Sequence, residues 1–194
     1  MARTDFITDR EIDRVLALLT RGNSLVMRTQ LHTGLRVGDA LRLQFPLRRQ
    51  CWITEAKTGK RRHIGLPQQL IDAIAADAAQ YFPNRMQRYI WEAPPRGITP
   101  LWAFPSPRDW RRHRTRQAVW KDIHRAAWAL RMPQIVGTHS ARKAYAVELY
   151  RRTGGDLEAV QRRMDHSDPA ITMIYAMADK LRRDGQHQGP GERI

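Results

Sequence analysis

The chain has 194 residues, with 34 Lys and Arg against 19 Asp and Glu, a formal net charge of +15 and a single cysteine, Cys51. That length suits one domain with a core large enough to hold a site rigid, and the charge favours a polyanion as partner, nucleic acid being the commonest. One thiol excludes an internal disulfide and fits a reducing compartment, while the lack of a membrane-length apolar run or a signal-peptide pattern leads us to expect a cytoplasmic protein.

Residues 1–7 read as a short N-terminal extension. Thr8-x-x-Glu11 is a capping-box pattern followed by Ile12, Val15, Leu16 and Leu19 at helical spacing, which predicts a first helix from Asp9 to Thr20. Gly22-Asn23-Ser24 is expected to break it and to cap a second helix, Leu25 to His32, that ends at Thr33-Gly34 in the left-handed turn glycine favours. Arg36 then falls at the start of another helix, a favourable place for a phosphate. Cys51–Thr54 and His63–Leu66 are β-prone runs around Lys57-Thr58-Gly59-Lys60, which predicts a hairpin with a basic tip. Pro67 suits the first turn of a helix that turns Leu70, Ile71, Ile74 and Ala78 inward.

Residues 83–114, rich in Pro, Arg and Trp, show little periodicity and are expected to be irregular. Thr115 opens a helix whose predicted buried stripe is Val119, Trp120, Ile123, Ala126, Ala127 and Leu130, and Met132-Pro133 ends it. Trp102, Trp110, Trp120 and Trp128 are assigned to packing. A further helix is predicted from His139 to Arg151, with His139 and Arg142 three residues apart on one face. Asp156 caps a short helix carrying Leu157, Val160 and Met164, and Ser167-Asp168-Pro169 starts another that reaches Tyr175. The residues from 179 to 194 are polar, Gly-rich and expected to be a flexible tail. The elements sum to an α+β domain over 8–178, mainly helical, with a small antiparallel sheet.

Chemistry singles out a few of these residues. Two arginines, Arg36 and Arg142, offer bidentate hydrogen bonds to phosphate oxygens. His139 and His166 can donate to the same anion. A phenol with a pKa of about 10 needs such a positive field to become a nucleophile, which makes Tyr175 the group to watch. Lys60, Arg61 and Arg62 on the hairpin, Arg111 and Arg112 beside Trp110, and Lys143 are the candidate DNA contacts. Each residue alone has an ordinary structural use; their order and spacing set them apart.

Thr33-Gly-Leu-Arg36, His139-x-x-Arg142, Asp165-His166-Ser167 and Tyr175, taken in that order, resemble the catalytic domain of the tyrosine recombinases, the phage-integrase family. Ala56-Lys57-Thr58-Gly59-Lys60-Arg61-Arg62 resembles that family's β-hairpin turn, and Phe104-Pro105-Ser106 also fits. The resemblance implies a site-specific DNA recombinase that cleaves and rejoins strands through a 3′-phosphotyrosyl intermediate, with Tyr175 as nucleophile and Lys57 as general acid. It implies no cofactor, neither metal nor ATP. The implied partners are double-stranded DNA, further copies of the chain assembled on it, and an accessory DNA-bending protein or a recombinase bearing an N-terminal domain. Strand religation of the type IB topoisomerase kind and a non-catalytic DNA-binding module are the alternatives. Met164-Asp165-His166 stands where Leu-Gly-His is common, which sets a negative charge near the expected phosphate.

Overall fold

The computed structural model describes residues 7–164. His166, Tyr175, the predicted helix from Ser167 and the tail lie outside the described residues.

Helix α1 (Asp9–Leu18) starts on the predicted capping box. Thr8 Oγ1 accepts from Glu11 N at 3.1 Å, and the Glu11 carboxylate accepts from Thr8 N at 2.6 Å. Ile12, Val15 and Leu16 go into the core, and so does Ile7, inside the segment expected to be an extension. Helix α2 (Arg21–Thr33) begins four residues before the sequence expectation and runs through Gly22-Asn23-Ser24.

Tertiary contacts explain the difference. Asp122 accepts from Thr20 N (2.9 Å), Thr20 Oγ1 (2.8 Å) and Asn23 Nδ2 (2.8 Å), so a carboxylate 102 residues away caps α2. Gly22 leaves room for the buried Arg114, since a Cβ here would sit 2.2 Å from its Nη2 and displace that guanidinium. Helix propensity lost to glycine is offset by that close approach.

α2 is the central element. It packs against α1, α3 (Val37–Leu41), α4 (Gln68–Ala79), α6 (Arg116–Ala129), α7 (Ser140–Arg152) and the second hairpin strand. Leu25, Val26 and Met27 on it are buried, and so are Leu70, Ile71, Ile74 and Ala78 on α4, the inward set the sequence predicted. Pro67 is the N-cap of α4, just ahead of the first turn for which the sequence suits it.

Strands β1 (Gln50–Thr54) and β2 (Arg61–Gly65) pair antiparallel, Gln50 opposite Gly65 and Thr54 opposite Arg61. Gly59 takes a positive φ of 68° in the connecting turn. The architecture is therefore the expected α+β one, mainly helical with a two-stranded sheet.

Residues 83–114 hold more structure than their composition suggests. Helix α5 (Asn84–Gln87) continues into a 3₁₀ turn (Arg88–Ile90), and single bridges pair Gln44 with Trp102 and Pro105 with His113. On α6, Val119, Ile123, Ala126 and Ala127 are buried, but Trp120 is 44% exposed and Trp128 83%. Neither serves the packing role that the sequence suggests for it. The 3.6-residue period carries Trp120 and Trp128 to the face that also bears Lys121 and Arg125, away from the Val119–Ile123 stripe. Helix α8 (Leu157–Met164) begins as expected, with Asp156 Oδ1 accepting from Ala159 N at 2.9 Å.

Candidate functional site

The turn 33–36 organises the site. Gly34 closes α2 at φ 66°, its N–H donating to Gln30 O at 2.7 Å. A Cβ at this position would stand 2.4 Å from Cδ1 of Tyr145 on α7. Gly34→Ala is accordingly expected to cost about 2–4 kcal/mol, from the left-handed backbone and the overpacking together. Denaturant unfolding measures this, and an unchanged midpoint would contradict it.

The carbonyls of the turn are gripped from several directions. Arg62 Nη2 donates to Thr33 O at 2.5 Å, Arg142 Nη1 donates to Gly34 O, and Gln30 Nε2 donates to both Leu35 O (3.1 Å) and Thr138 O (3.0 Å). Arg142, which is buried, also donates from Nη2 to Met164 O at 2.5 Å. It therefore joins the end of α2 to the end of α8. Backbone oxygens held this way leave the turn little freedom, and Arg36 emerges from it as the N-cap of α3.

Arg36 is partly exposed, and its Nη1 donates to Glu55 Oε2 at 2.5 Å. Glu55 is 1% exposed and also accepts from Thr58 Oγ1 (3.2 Å) and Arg62 Nη1 (3.4 Å). Asp39 on α3 accepts from Ala56 N at 2.9 Å. The start of α3 and the hairpin turn are thus joined by two carboxylates, and Lys57 and Lys60 stand exposed on that turn.

His139 is the N-cap of α7, one residue ahead of the helix that was expected to include it. Part of its surface meets solvent, yet desolvation first, and then the charges of Arg142, Arg116, Lys143 and Arg36, hold its pKa below the ordinary histidine value. The ring is neutral at neutral pH and sits within the field of four cations.

The structure gathers Arg36, His139 and Arg142 around one turn, with Lys143 beside them and the hairpin bearing Lys57 bonded to Arg36 through Glu55. Other candidate DNA contacts stand differently. Arg62 is turned inward onto Thr33 and Glu55, so its charge is committed to the protein's own acceptors. Arg61 lies on the outer face of the hairpin with its guanidinium 5.3 Å from the Trp52 ring centroid. Arg111 and Arg112 are exposed on the segment before α6, Arg111 stacked 4.8 Å from Trp110.

Sequence reasoning missed Glu55, Asp39 and Arg116. Arg116, in the first turn of α6, leans over α3, its Cδ 3.8 Å from where a Cβ on Gly38 would be. A basic residue directly after the helix-capping Thr115 was its only signal. Glu55 had one too, as the acidic residue in the otherwise basic stretch between the strands.

Chemically the assembly suits an anion. Guanidiniums offer planar double donation to phosphate, and an imidazole adds a third direction. Among the described residues no group of three or more His, Cys, Asp or Glu could hold a metal, and no helix is long and apolar enough to cross a membrane.

Known proteins share this chain's family profile and its fold. The Phage integrase family profile matches residues 5–182. The probable integrase/recombinase YoeC of Bacillus subtilis (strain 168) is 28% identical over 153 residues, which is 77% of this chain and 74% of that protein. Tyrosine recombinase XerD of Staphylococcus saprophyticus is 35% identical over 66 residues, 34% of this chain and 22% of the relative. Among solved structures, XerA recombinase aligns with a TM-score of 0.66 at 19% identity, covering 98% of this chain and 68% of that one. The catalytic domain of bacteriophage HP1 integrase aligns with a TM-score of 0.56 at 20% identity, covering 90% and 88%. XerH recombinase, solved in a post-cleavage complex with its difH substrate, aligns with a TM-score of 0.62 at 18% identity over 88% of this chain, which spans 48% of XerH.

Proposed function

Because the chain belongs to the phage integrase family, we propose that it is a site-specific DNA recombinase that breaks and rejoins strands through a 3′-phosphotyrosyl intermediate on Tyr175. The observation that carries this reading is the convergence of Arg36, Arg142 and His139 on the 33–36 turn, a cationic setting suited to a phosphodiester.

In the proposed step the Tyr175 phenol gives up its proton to water, its oxygen bonds to phosphorus and the bond to the 5′ oxygen breaks. That oxygen leaves with a proton from Lys57 on the hairpin turn. Arg36, held beside the turn, lowers the charge on the non-bridging oxygens, where phosphoryl transfer needs most stabilisation, and Arg142, whose Nη1 and Nη2 already donate to Gly34 O and Met164 O, adds its positive field from behind the turn. His139 and His166 donate to the same oxygens. The phosphotyrosyl ester conserves the energy of the broken bond, so a 5′ hydroxyl from another strand reverses the step. We assign double-stranded DNA as substrate and an assembly of several copies on two duplexes as the working form, with Lys60, Arg61, Arg111, Arg112 and Lys143 on the backbone. As a further partner on the DNA we assign a second bound protein, either a DNA-bending factor or a recombinase bearing an N-terminal domain.

Incubation with a library of nicked duplexes, followed by denaturing electrophoresis, tests the reading. Covalent protein–DNA adducts support it, and their absence across the library at low salt removes it.

The depressed pKa of His139 supplies a pH prediction. A group whose folded pKa lies below its unfolded one favours the native state above the unfolded value, and that contribution is lost as pH falls below it. A DNA phosphate arriving beside the ring pulls its pKa back up. Binding at pH 6 should then take up protons, and affinity should rise as pH falls from 7. Titration calorimetry in two buffers of different ionisation enthalpy measures the uptake. His139→Gln should reduce it, and an unchanged value in that variant would clear His139 of the role.

A further inference from the structure

Glu55 is a carboxylate removed almost completely from water, and its partners are two guanidiniums and a hydroxyl. Stability alone accounts poorly for it, since desolvation of such pairs commonly cancels their attraction and an apolar residue of the same volume would serve as well. Its contacts say more. One oxygen holds Arg36 Nη1 and Thr58, the other holds Arg62, and Arg62 is itself anchored on Thr33 O. The Glu55 backbone closes the hairpin turn too, its N–H donating to Lys60 O at 3.0 Å and its C=O accepting from Gly59 N at 2.8 Å.

We propose that Glu55 is a positioning residue for the strand-cleavage reaction, holding Arg36 in the plane that meets the scissile phosphate and tying the Lys57 turn to it. This rests on the recombinase reading above. Arginine is a long side chain with much rotamer freedom, but its guanidinium is rigid once one nitrogen is fixed. Among the described residues the remaining N–H groups of Arg36 have no acceptor, so the grip by Glu55 leaves them for a ligand. A carboxylate that strong against a guanidinium also keeps Arg36 from collapsing onto other acceptors before DNA arrives. Catalysis that depends on placement loses about 100-fold for a displacement of about 1 Å, so the loss of this contact should be felt in rate more than in binding.

The test is single-turnover cleavage of a nicked duplex by wild type, Glu55→Gln and Glu55→Met, with DNA affinity and thermal midpoint measured for each. The duplex carries either the natural phosphodiester or an uncharged methylphosphonate at the scissile position. For Glu55→Gln we expect cleavage of the phosphodiester to slow by about 10–100-fold with affinity within about threefold. On the methylphosphonate, which has less need of the Arg36 charge, the deficit should shrink to about threefold or less. Glu55→Met keeps the volume and should behave the same way if Glu55→Gln proves poorly folded. Equal rates for wild type and variant on the phosphodiester would overturn the proposal, and so would an equal deficit on both substrates, which marks general loosening. If wild type itself forms no adduct with any duplex, the recombinase reading fails first and this inference with it.

Discussion

Tyr175→Phe should form no covalent adduct with DNA while binding the same duplex within about threefold of wild type. Phenylalanine keeps the ring and removes only the oxygen that bonds to phosphorus, so affinity, which comes from backbone cations, is spared. We expect a loss in cleavage rate of at least about 10⁴-fold, since nothing replaces an absent nucleophile. The described residues offer one informative rival. Tyr145 packs on Gly34, close to the arginine that bonds that glycine's carbonyl. An adduct that persists in Tyr175→Phe and vanishes in the double variant with Tyr145→Phe would move the nucleophile to α7. Denaturing electrophoresis with peptide mapping of the linked residue separates these outcomes.

Arg142→Ala should be the most damaging single change to the fold among the site residues. The side chain is buried and donates to Gly34 O and Met164 O, so its removal leaves two buried carbonyls without donors and a cavity between α2, α7 and α8. An orphaned buried acceptor costs about 1–3 kcal/mol, and with the cavity we expect about 3–5 kcal/mol in all. For a domain of this size that is a fall in thermal midpoint of roughly 6–20 °C. Arg142→Lys keeps the charge but cannot span both carbonyls with a flat fork, so its midpoint should lie between the other two. A midpoint for Arg142→Ala within about 2 °C of wild type would mean that the guanidinium is not a structural tie.

Parts of this molecule were legible in the sequence because the physics acting there is local. The capping box at Thr8 and Glu11, the left-handed glycine at 34, the hairpin around Lys57-Thr-Gly-Lys60 and the inward stripe of α4 all follow from short-range geometry, and the structure shows each of them. The start of α2 was misread for the opposite reason. Gly22-Asn23-Ser24 has breaker chemistry, but Asp122 and Arg114 on distant segments turn it into helix. Trp120 and Trp128 were misassigned because hydrophobicity was weighed above phase along α6. At the site, Arg36, His139 and Arg142 could be paired by motif, whereas Glu55 could not: a lone acid in a basic hairpin gives no sign of which arginine it will face until the chain has folded. Arg62 shows the same limit, since a cation aimed at its own backbone reads in sequence as one aimed at DNA.

The capping of α2 by Asp122 has a consequence for how the site breathes. Burial pushes the pKa of that carboxyl up, but hydrogen bonds from Asn23, Arg125 and Thr20 outweigh burial and hold it below the usual value, so acidification through that lowered range weakens its hold. The first turn of α2 would then fray, and because the helix is only about 20 Å long the loosened register would be felt at Thr33 and Gly34. Amide exchange at Thr33 and Gly34 would then quicken as the cap on α2 loosens, which hydrogen exchange followed against falling pH measures.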